Sequence, residues 1–451
     1  MIISFSVSNF RSFAEETTLS MVASKRFQGH HESHLVPIPD SDEHILKVGV
    51  IYGANGAGKS NLFRALEYMR KMVIRGPGRE AQTGRDPFRL GTAAKEPSLF
   101  DLTFLLNEKV YRYGFRVNDE HVVEEWLAEV RGSKEQALFE RVTSSEGSVK
   151  VESAFLKKLG DKHAALATVG GPKNQTFLYT LRSTIELNEL NSTLLAIISW
   201  FMFDLTLIAP TASFRSLGGY MLRNDSSREF ASQFLQAAST GVDSLEIEHE
   251  AVSEERVRKL LPERTASRLI SGSIPYAQTK DGSDIVVAPD DPETYYLINI
   301  KSKHELADGD SISFDLTEES DGTQRLLNLI PVLERLRDDS GIFFIDEIDR
   351  SMHPQLVWKF IEFFLRSCPG VHRQLLVTTH ESNLLDLELL RRDEIWFTEK
   401  NREGASQLYS LAEFRVRKDL SIQKHYLRGR FGAIPFLGDI DRLIDKAEVR
   451  A

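Results

Sequence analysis

Gly53-Ala54-Asn55-Gly56-Ala57-Gly58-Lys59-Ser60 satisfies G-x-x-x-x-G-K-S at every position. Three glycines let a backbone curl closely around a polyphosphate, so that successive N–H groups point at its anionic oxygens. On such a loop Lys59 reaches the β- and γ-phosphates and the Ser60 hydroxyl ligates Mg²⁺. The expected ligands are therefore ATP and Mg²⁺, with Gly53, Asn55, Gly56, Gly58, Lys59 and Ser60 as the binding set. A second group lies far along the chain. Asp346 and Glu347 follow the apolar run Gly341-Ile342-Phe343-Phe344-Ile345, and His380 follows Leu375-Leu376-Val377-Thr378-Thr379. Asp346 suits the Mg²⁺ shell, Glu347 suits a general base acting on water, and His380 suits contact with the γ-phosphate. A carboxylate pair behind a strand reads equally well as a solvated turn when taken alone; the phosphate loop upstream selects the chemical reading.

The flanking residues say which elements must carry these groups. Val48-Gly49-Val50-Ile51-Tyr52 is a short apolar run that predicts a buried strand, and Asn61-Leu62-Phe63-Arg64-Ala65-Leu66 opens a helical pattern. The runs before Asp346 and His380 predict further parallel strands, which place the polar groups at the carboxyl edge of an α/β sheet. Leu102 to Leu106 and Val110 to Phe115 alternate as antiparallel strands do. Asn188 to Phe203 and Ser227 to Leu235 predict helices, and Pro354 to Leu365 predicts an amphipathic helix that covers the sheet. The expected fold class is α/β, a P-loop ATPase head with a mixed sheet, flanking helices and accessory antiparallel strands, interrupted by a helical insertion. Boundaries are expected at 1–150, 151–290 and 291–451.

Between the two halves stands Glu319-Ser320-Asp321-Gly322-Thr323-Gln324-Arg325, followed by an apolar helix-like stretch. Alone it is a turn with a helix N-cap. In its position ahead of Asp346 it resembles the signature motif of ABC-type ATPases, where a Ser and a Gly at a helix N-terminus bind the γ-phosphate of the nucleotide held by the other protomer. That resemblance transfers to Ser320, Gly322 and Gln324, although Glu319 and Asp321 depart from the pattern of transporters. Asp349-Arg350-Ser351-Met352-His353-Pro354 is similar to the dimer-contacting loop of the same superfamily. Phe5 to Phe13, Tyr111 to Phe115, Glu125-Trp126-Leu127, Arg391 to Phe397 and Tyr426 to Pro435 extend the likeness over nearly the whole chain. Together they resemble bacterial stand-alone AAA/ABC-type ATPases related to RloA and to the ATPase half of abortive-infection pairs. The resemblance implies a homodimer or higher oligomer closed around ATP, and a partner nuclease of the RloB-like, Toprim type. Gln82 is a weak candidate for the Mg²⁺-coordinating glutamine of that superfamily, and a surface loop residue is its plainer reading.

Composition bounds the rest. The chain has 451 residues, a net charge of −10 and one cysteine, Cys368. One cysteine excludes a disulfide framework and a Cys-x-x-Cys zinc hook, and it suits a reducing cytoplasm. Met1 to Phe5 reads as a strand, and the longest apolar stretch, Leu194 to Phe203, is too short to span a bilayer, so no membrane partner is expected. Arg70, Lys71, Arg75, Arg79, Arg85 and Arg89 form one basic cluster, and Arg415, Arg417, Lys418, Lys424, Arg428 and Arg430 another. Each reads as a solvated or docking face or as a nucleic-acid contact. Asp439 and Asp441 read as a solvated helix start and His30, His31 and His34 as a solvated loop, not as metal sites. No long heptad repeat is present. Two functional readings follow: a sensor ATPase of antiphage defence acting with a partner nuclease, and a DNA repair or recombination ATPase that binds DNA directly.

Overall fold

The computed structural model describes residues 1–91, 93–212, 216–288, 291, 294–338, 341–367, 373–415 and 421–434. Cys368, Arg417, Lys418, Asp439 and Asp441 lie outside them. The chain divides into two compact units, one of residues 1–209, 340–348 and 368–451, the other of residues 210–339 and 349–367.

Two sheets build the first unit. The six-stranded sheet runs Leu205–Ile208, Gly341–Ile345, Arg373–Thr379, Val48–Tyr52, Ile395–Lys400, Ser406–Ser410, with the first five parallel and the last antiparallel. Val48–Tyr52 and Gly341–Ile345 are buried at every position, as their continuous apolar runs predict for parallel strands covered on both faces. Ile345 is level with Val377, and Val377 with Val50. This register brings the carboxyl ends of three neighbouring strands out side by side.

The second sheet is antiparallel, in the order Val149–Glu152, Lys134–Thr143, Val122–Arg131, Lys109–Val117, Ser98–Leu106, Ile2–Ser8, Thr17–Ser20. It contains the expected hairpin, closed where Leu106 faces Lys109. One apolar core joins the two sheets. Helix Lys59–Ile74 supplies Leu62, Phe63, Leu66 and Met69 to it, with Phe63 edge-on to Phe344 at 5.4 Å and Tyr68 against Phe100 at 5.0 Å. Gln374, fully buried, accepts from the Ile2 N–H at 2.7 Å and donates to Ile2 O at 2.9 Å and Leu46 O at 3.0 Å. Every polar group of its amide is thereby used in the dry interior, which removes the penalty of burying it.

The two compact units divide segment 151–290 after residue 209. Helices Asp161–Val169, Phe177–Thr184 and Ser192–Ser199 belong to the first unit, because the strand that follows them, Leu205–Ile208, pairs with Gly341–Ile345. The helix expected from Asn188 starts at Ser192, where Asn191 caps it, and relaxes into a π turn at Trp200–Asp204. The second unit carries the expected helix, Asp225–Ala237, and also an antiparallel sheet ordered Ser244–Val252, Tyr295–Glu305, Asp284–Val287, Tyr276–Gln278, with Ser311–Asp315 pairing the end of Tyr295–Glu305. Helix Pro354–Ser367 falls in this unit, where Phe363 packs on Phe230 and Phe234 at 5.7 and 5.9 Å. Its buried stripe is Val357, Phe360, Ile361 and Phe364, and Phe363 lies beside that stripe.

Candidate functional site

The phosphate loop leaves Val48–Tyr52 and turns into helix Lys59–Ile74. Side chains are barred at two of its glycines. A Cβ on Gly53 would strike the Thr398 carbonyl, and one on Gly58, whose φ is +120°, would strike the Ser406 hydroxyl. Asn55 and Gly56 stand exposed at the tip, whereas Ala57, Gly58 and Lys59 are buried. The Lys59 ammonium donates to Gly53 O at 2.6 Å and Ala54 O at 3.3 Å, and lies 3.2 Å from His380 Nδ1. An ammonium can only donate, so Nδ1 presents its lone pair and the proton of a neutral His380 resides on Nε2.

The carboxylates close the other side. Ser60 Oγ donates to Asp346 Oδ1 at 3.2 Å, and Thr378 Oγ1 donates to the same oxygen at 2.6 Å. Thr378 Oγ1 also accepts from the Glu347 N–H at 2.8 Å. Glu347 has φ +50°, in the left-handed region that a non-glycine residue adopts reluctantly. The adjoining bond from the Ile348 N–H to Thr378 O, at 3.0 Å, fixes the turn from its other side. Hydroxyl and carboxylate oxygens at this separation suit a hard divalent cation, and Mg²⁺ commonly takes few protein ligands beside substrate phosphates and water. Among the described residues no group of three or more His, Cys, Asp or Glu side chains could hold a metal ion.

In the second unit, Ser320 caps helix Asp321–Asp338, its Oγ accepting from the Thr323 N–H at 3.1 Å. A Cβ on Gly322 would lie 2.6 Å from Ser351 O, so glycine there permits close approach of the loop that carries Asp349 to His353. Gln324 donates to Glu319 O at 2.8 Å, and Glu319 in turn accepts from Ser302 and His304 at 2.5 and 2.6 Å. Ser320, Gly322 and Gln324 thus occupy one helix N-terminus.

Residues 49–165 and 198–386 match the family described as "AAA domain, putative AbiEii toxin, Type IV TA system". The chain belongs to this family. The matched segments of the AAA domain include the phosphate loop, the Ser320 segment, Asp346, Glu347 and His380. No curated protein matches the chain. Among solved structures, the SMC head domain from Thermotoga maritima is similar at 13% identity and TM-score 0.38, covering 92% of this chain and 99% of that one. An SmcHead bound to the C-winged helix domain of ScpA is similar at 12% identity and TM-score 0.39, covering 91% and 97%. An Smc head with an extended coiled coil, bound to the C-terminal domain of ScpA derived from Pyrococcus furiosus, is similar at 13% identity and TM-score 0.35, covering 95% and 98%.

The site also rests on residues that spacing did not reveal. Thr378 is the hub of the carboxylate turn, yet in sequence it reads only as a β-branched strand residue. Ser406 Oγ donates to Ala57 O at 2.6 Å and lies 2.7 Å from Ser12 Oγ, which accepts from Asn61 Nδ2 at 2.8 Å. These bonds tie both ends of the chain to the back of the phosphate loop. Gln82 is exposed and makes no side-chain bond among the described residues. The histidine-rich loop is not simply solvated. His34 is buried, with Nδ1 2.9 Å from Glu394 Oε1, and Arg391 bridges the loop to Asp393, binding the carbonyls of Phe27 and His30. Burial pushes the Glu394 carboxyl up from its ordinary value, while His34 pulls it back.

Proposed function

We propose that this protein binds and hydrolyses ATP·Mg²⁺ and uses the bound nucleotide as a conformational switch. The observation that carries the reading is the convergence of Lys59, Ser60, Asp346, Glu347 and His380 at the ends of adjacent parallel strands. In this reading Gly53, Asn55, Gly56 and Gly58 wrap the phosphates, and Lys59 exchanges its loop carbonyls for phosphate oxygens. Ser60 and Asp346 hold Mg²⁺, which neutralises phosphate charge when bound. Glu347 takes a proton from water, and His380 offers Nε2–H to the γ-phosphate. Ser320, Gly322 and Gln324 complete the site of a second protomer, so that ATP closes a dimer and hydrolysis opens it. The family's description, a putative toxin of a Type IV TA system, fits a protein that works with a partner; in this reading it is a sensor ATPase of antiphage defence and the partner is a nuclease of the RloB-like, Toprim type. The setting proposed for it is the cytoplasm; among the described residues no helix is long and apolar enough to cross a membrane.

The test is light scattering on the Glu347→Gln protein. Dimer mass with ATP·Mg²⁺, and monomer mass without it or with Lys59→Ala added, is expected. Absence of both ATP-dependent association and wild-type hydrolysis would refute the reading. Co-purification with the product of the neighbouring gene tests the nuclease partner separately.

A further inference from the structure

The fold sorts the five arginines of the first basic cluster into two groups. Arg70 turns inward and donates to Phe201 O and Met202 O at 2.7 and 2.9 Å. Arg85 pairs with Asp119 at 2.6 Å, and Arg89 with Asp86 at 2.9 Å. Arg75 and Arg79 remain exposed, and their side chains have no hydrogen bond or ion pair among the described residues. Both line a cavity of about 400 Å³ whose opposite wall is helix Phe177–Thr184, with Tyr179, Ser183 and Thr184.

Two features make this cavity unusual in a chain of net charge −10. Its lining contains two arginines and no carboxylate. Backbone carbonyls of the segment that carries the two arginines are also satisfied within the fold. Arg182 donates to Ile74 O at 2.5 Å, Gln175 to Pro77 O at 2.6 Å, and Asn174 to Gly78 O and Ala81 O at 2.8 and 2.6 Å. These carbonyls are already satisfied, and the Arg75 and Arg79 guanidinium groups keep their donors for a ligand. Gly76 lies flush on the Tyr179 ring, where a Cβ would come within 2.6 Å, so glycine is what lets the turn approach that wall.

We propose that this cavity is a second phosphate-binding site, taking the phosphate of a nucleotide that is either free or part of a nucleic-acid strand. Its volume falls within the roughly 300–1,000 Å³ of small-molecule pockets. Arg75 and Arg79 supply the fork-shaped donors that phosphate oxygens accept, and the Thr184 and Tyr179 hydroxyls supply neutral ones. The site stands apart from the ATP reading, since it shares no residue with the phosphate loop.

The experiment is run in EDTA without ATP, which keeps the phosphate loop out of the measurement. Fluorescence anisotropy follows a labelled, 5′-phosphorylated twelve-residue thymidine oligonucleotide; calorimetry follows thymidine monophosphate. Wild type is expected to bind, and Arg75→Ala/Arg79→Ala to weaken binding about ten-fold or more, because two charge-assisted contacts are lost. The slope of log affinity against log salt should become shallower by about 1.4 for two lost contacts to a single strand. Comparable affinity for the mononucleotide identifies a free nucleotide as the ligand, whereas binding of the oligonucleotide alone identifies nucleic acid. Ser183→Glu, which adds a carboxylate at the rim, should reproduce the loss with an unchanged unfolding midpoint. Failure of wild type to bind either ligand, or unchanged affinity in the double variant, overturns the proposal.

Discussion

Replacing Thr378 by Val removes one oxygen and almost no volume, and it should disable the carboxylate turn. That hydroxyl donates to Asp346 Oδ1 at 2.6 Å and accepts from the Glu347 N–H at 2.8 Å, at a fully buried position. A hydrogen bond to a charged group contributes about 1.5–3 kcal/mol, and an N–H left without a partner costs about 1–3 kcal/mol more. The two effects share one atom and overlap, so a net loss of roughly 2–4 kcal/mol is expected. Part of it should appear in the urea midpoint. The rest should appear in turnover, because Glu347, at φ +50°, loses the bond that holds its backbone in the left-handed region. We expect kcat for ATP hydrolysis to fall about 10- to 100-fold with the KM for ATP little changed, since the phosphate loop is untouched. The Mg²⁺ concentration giving half-maximal rate should rise, because Asp346 is no longer oriented. Thr378→Ser should recover most of both effects. A Val variant with wild-type midpoint, kcat and Mg²⁺ dependence would refute the reasoning.

Further outcomes follow from other contacts. Lys59→Ala should weaken ATP binding about 10- to 100-fold by calorimetry, as one charge-assisted contact is lost. Gly322→Ala should destabilise the second unit by about 1–3 kcal/mol in urea unfolding, because its Cβ would sit 2.6 Å from Ser351 O. The same variant should lose ATP-dependent self-association and keep ATP binding. Arg391→Met should cost about 3–5 kcal/mol in chemical denaturation, since it strands the buried Asp393 carboxylate that its guanidinium meets at 2.9 Å. Burial pushes the Asp284 carboxyl up to about 6, against a bond from the Gly218 N–H at 2.8 Å. A raised carboxyl pKa favours the folded state below pH 4, and that advantage is lost as pH rises to 6. Asp284→Asn should therefore flatten the pH dependence of stability across that window.

The residues that converge at the strand ends were legible as candidates because each stands in a short segment of recognisable residue types. The loop from Gly53 to Ser60 and the apolar run ahead of Asp346 need no partner to be recognised. Ser12 and Ser406 were not legible, because they meet across 394 residues of chain, and Thr378 was not, because its hydroxyl acts on Asp346 from a neighbouring strand 32 residues on. Strand Ser244–Val252 escaped notice for a different reason. Glu246, Glu248 and Glu250 place charge at alternate positions on an exposed face, leaving too few apolar residues to mark a strand. The boundary near 209 was hidden for the same reason as the hydroxyls: Leu205–Ile208 joins the first unit by pairing with a strand far downstream.

The position of Val48–Tyr52 in its sheet sets an order of events during synthesis. Both of its neighbours, Arg373–Thr379 and Ile395–Lys400, are made more than 300 residues later. At about 5–20 residues per second the phosphate-loop strand waits tens of seconds for them. Until then its apolar residues have no sheet to enter, and His380 cannot meet Lys59. A chain released early from the ribosome therefore carries the whole phosphate loop yet lacks the strands that flank it, and it should be met by chaperones or proteases before it can hold a nucleotide.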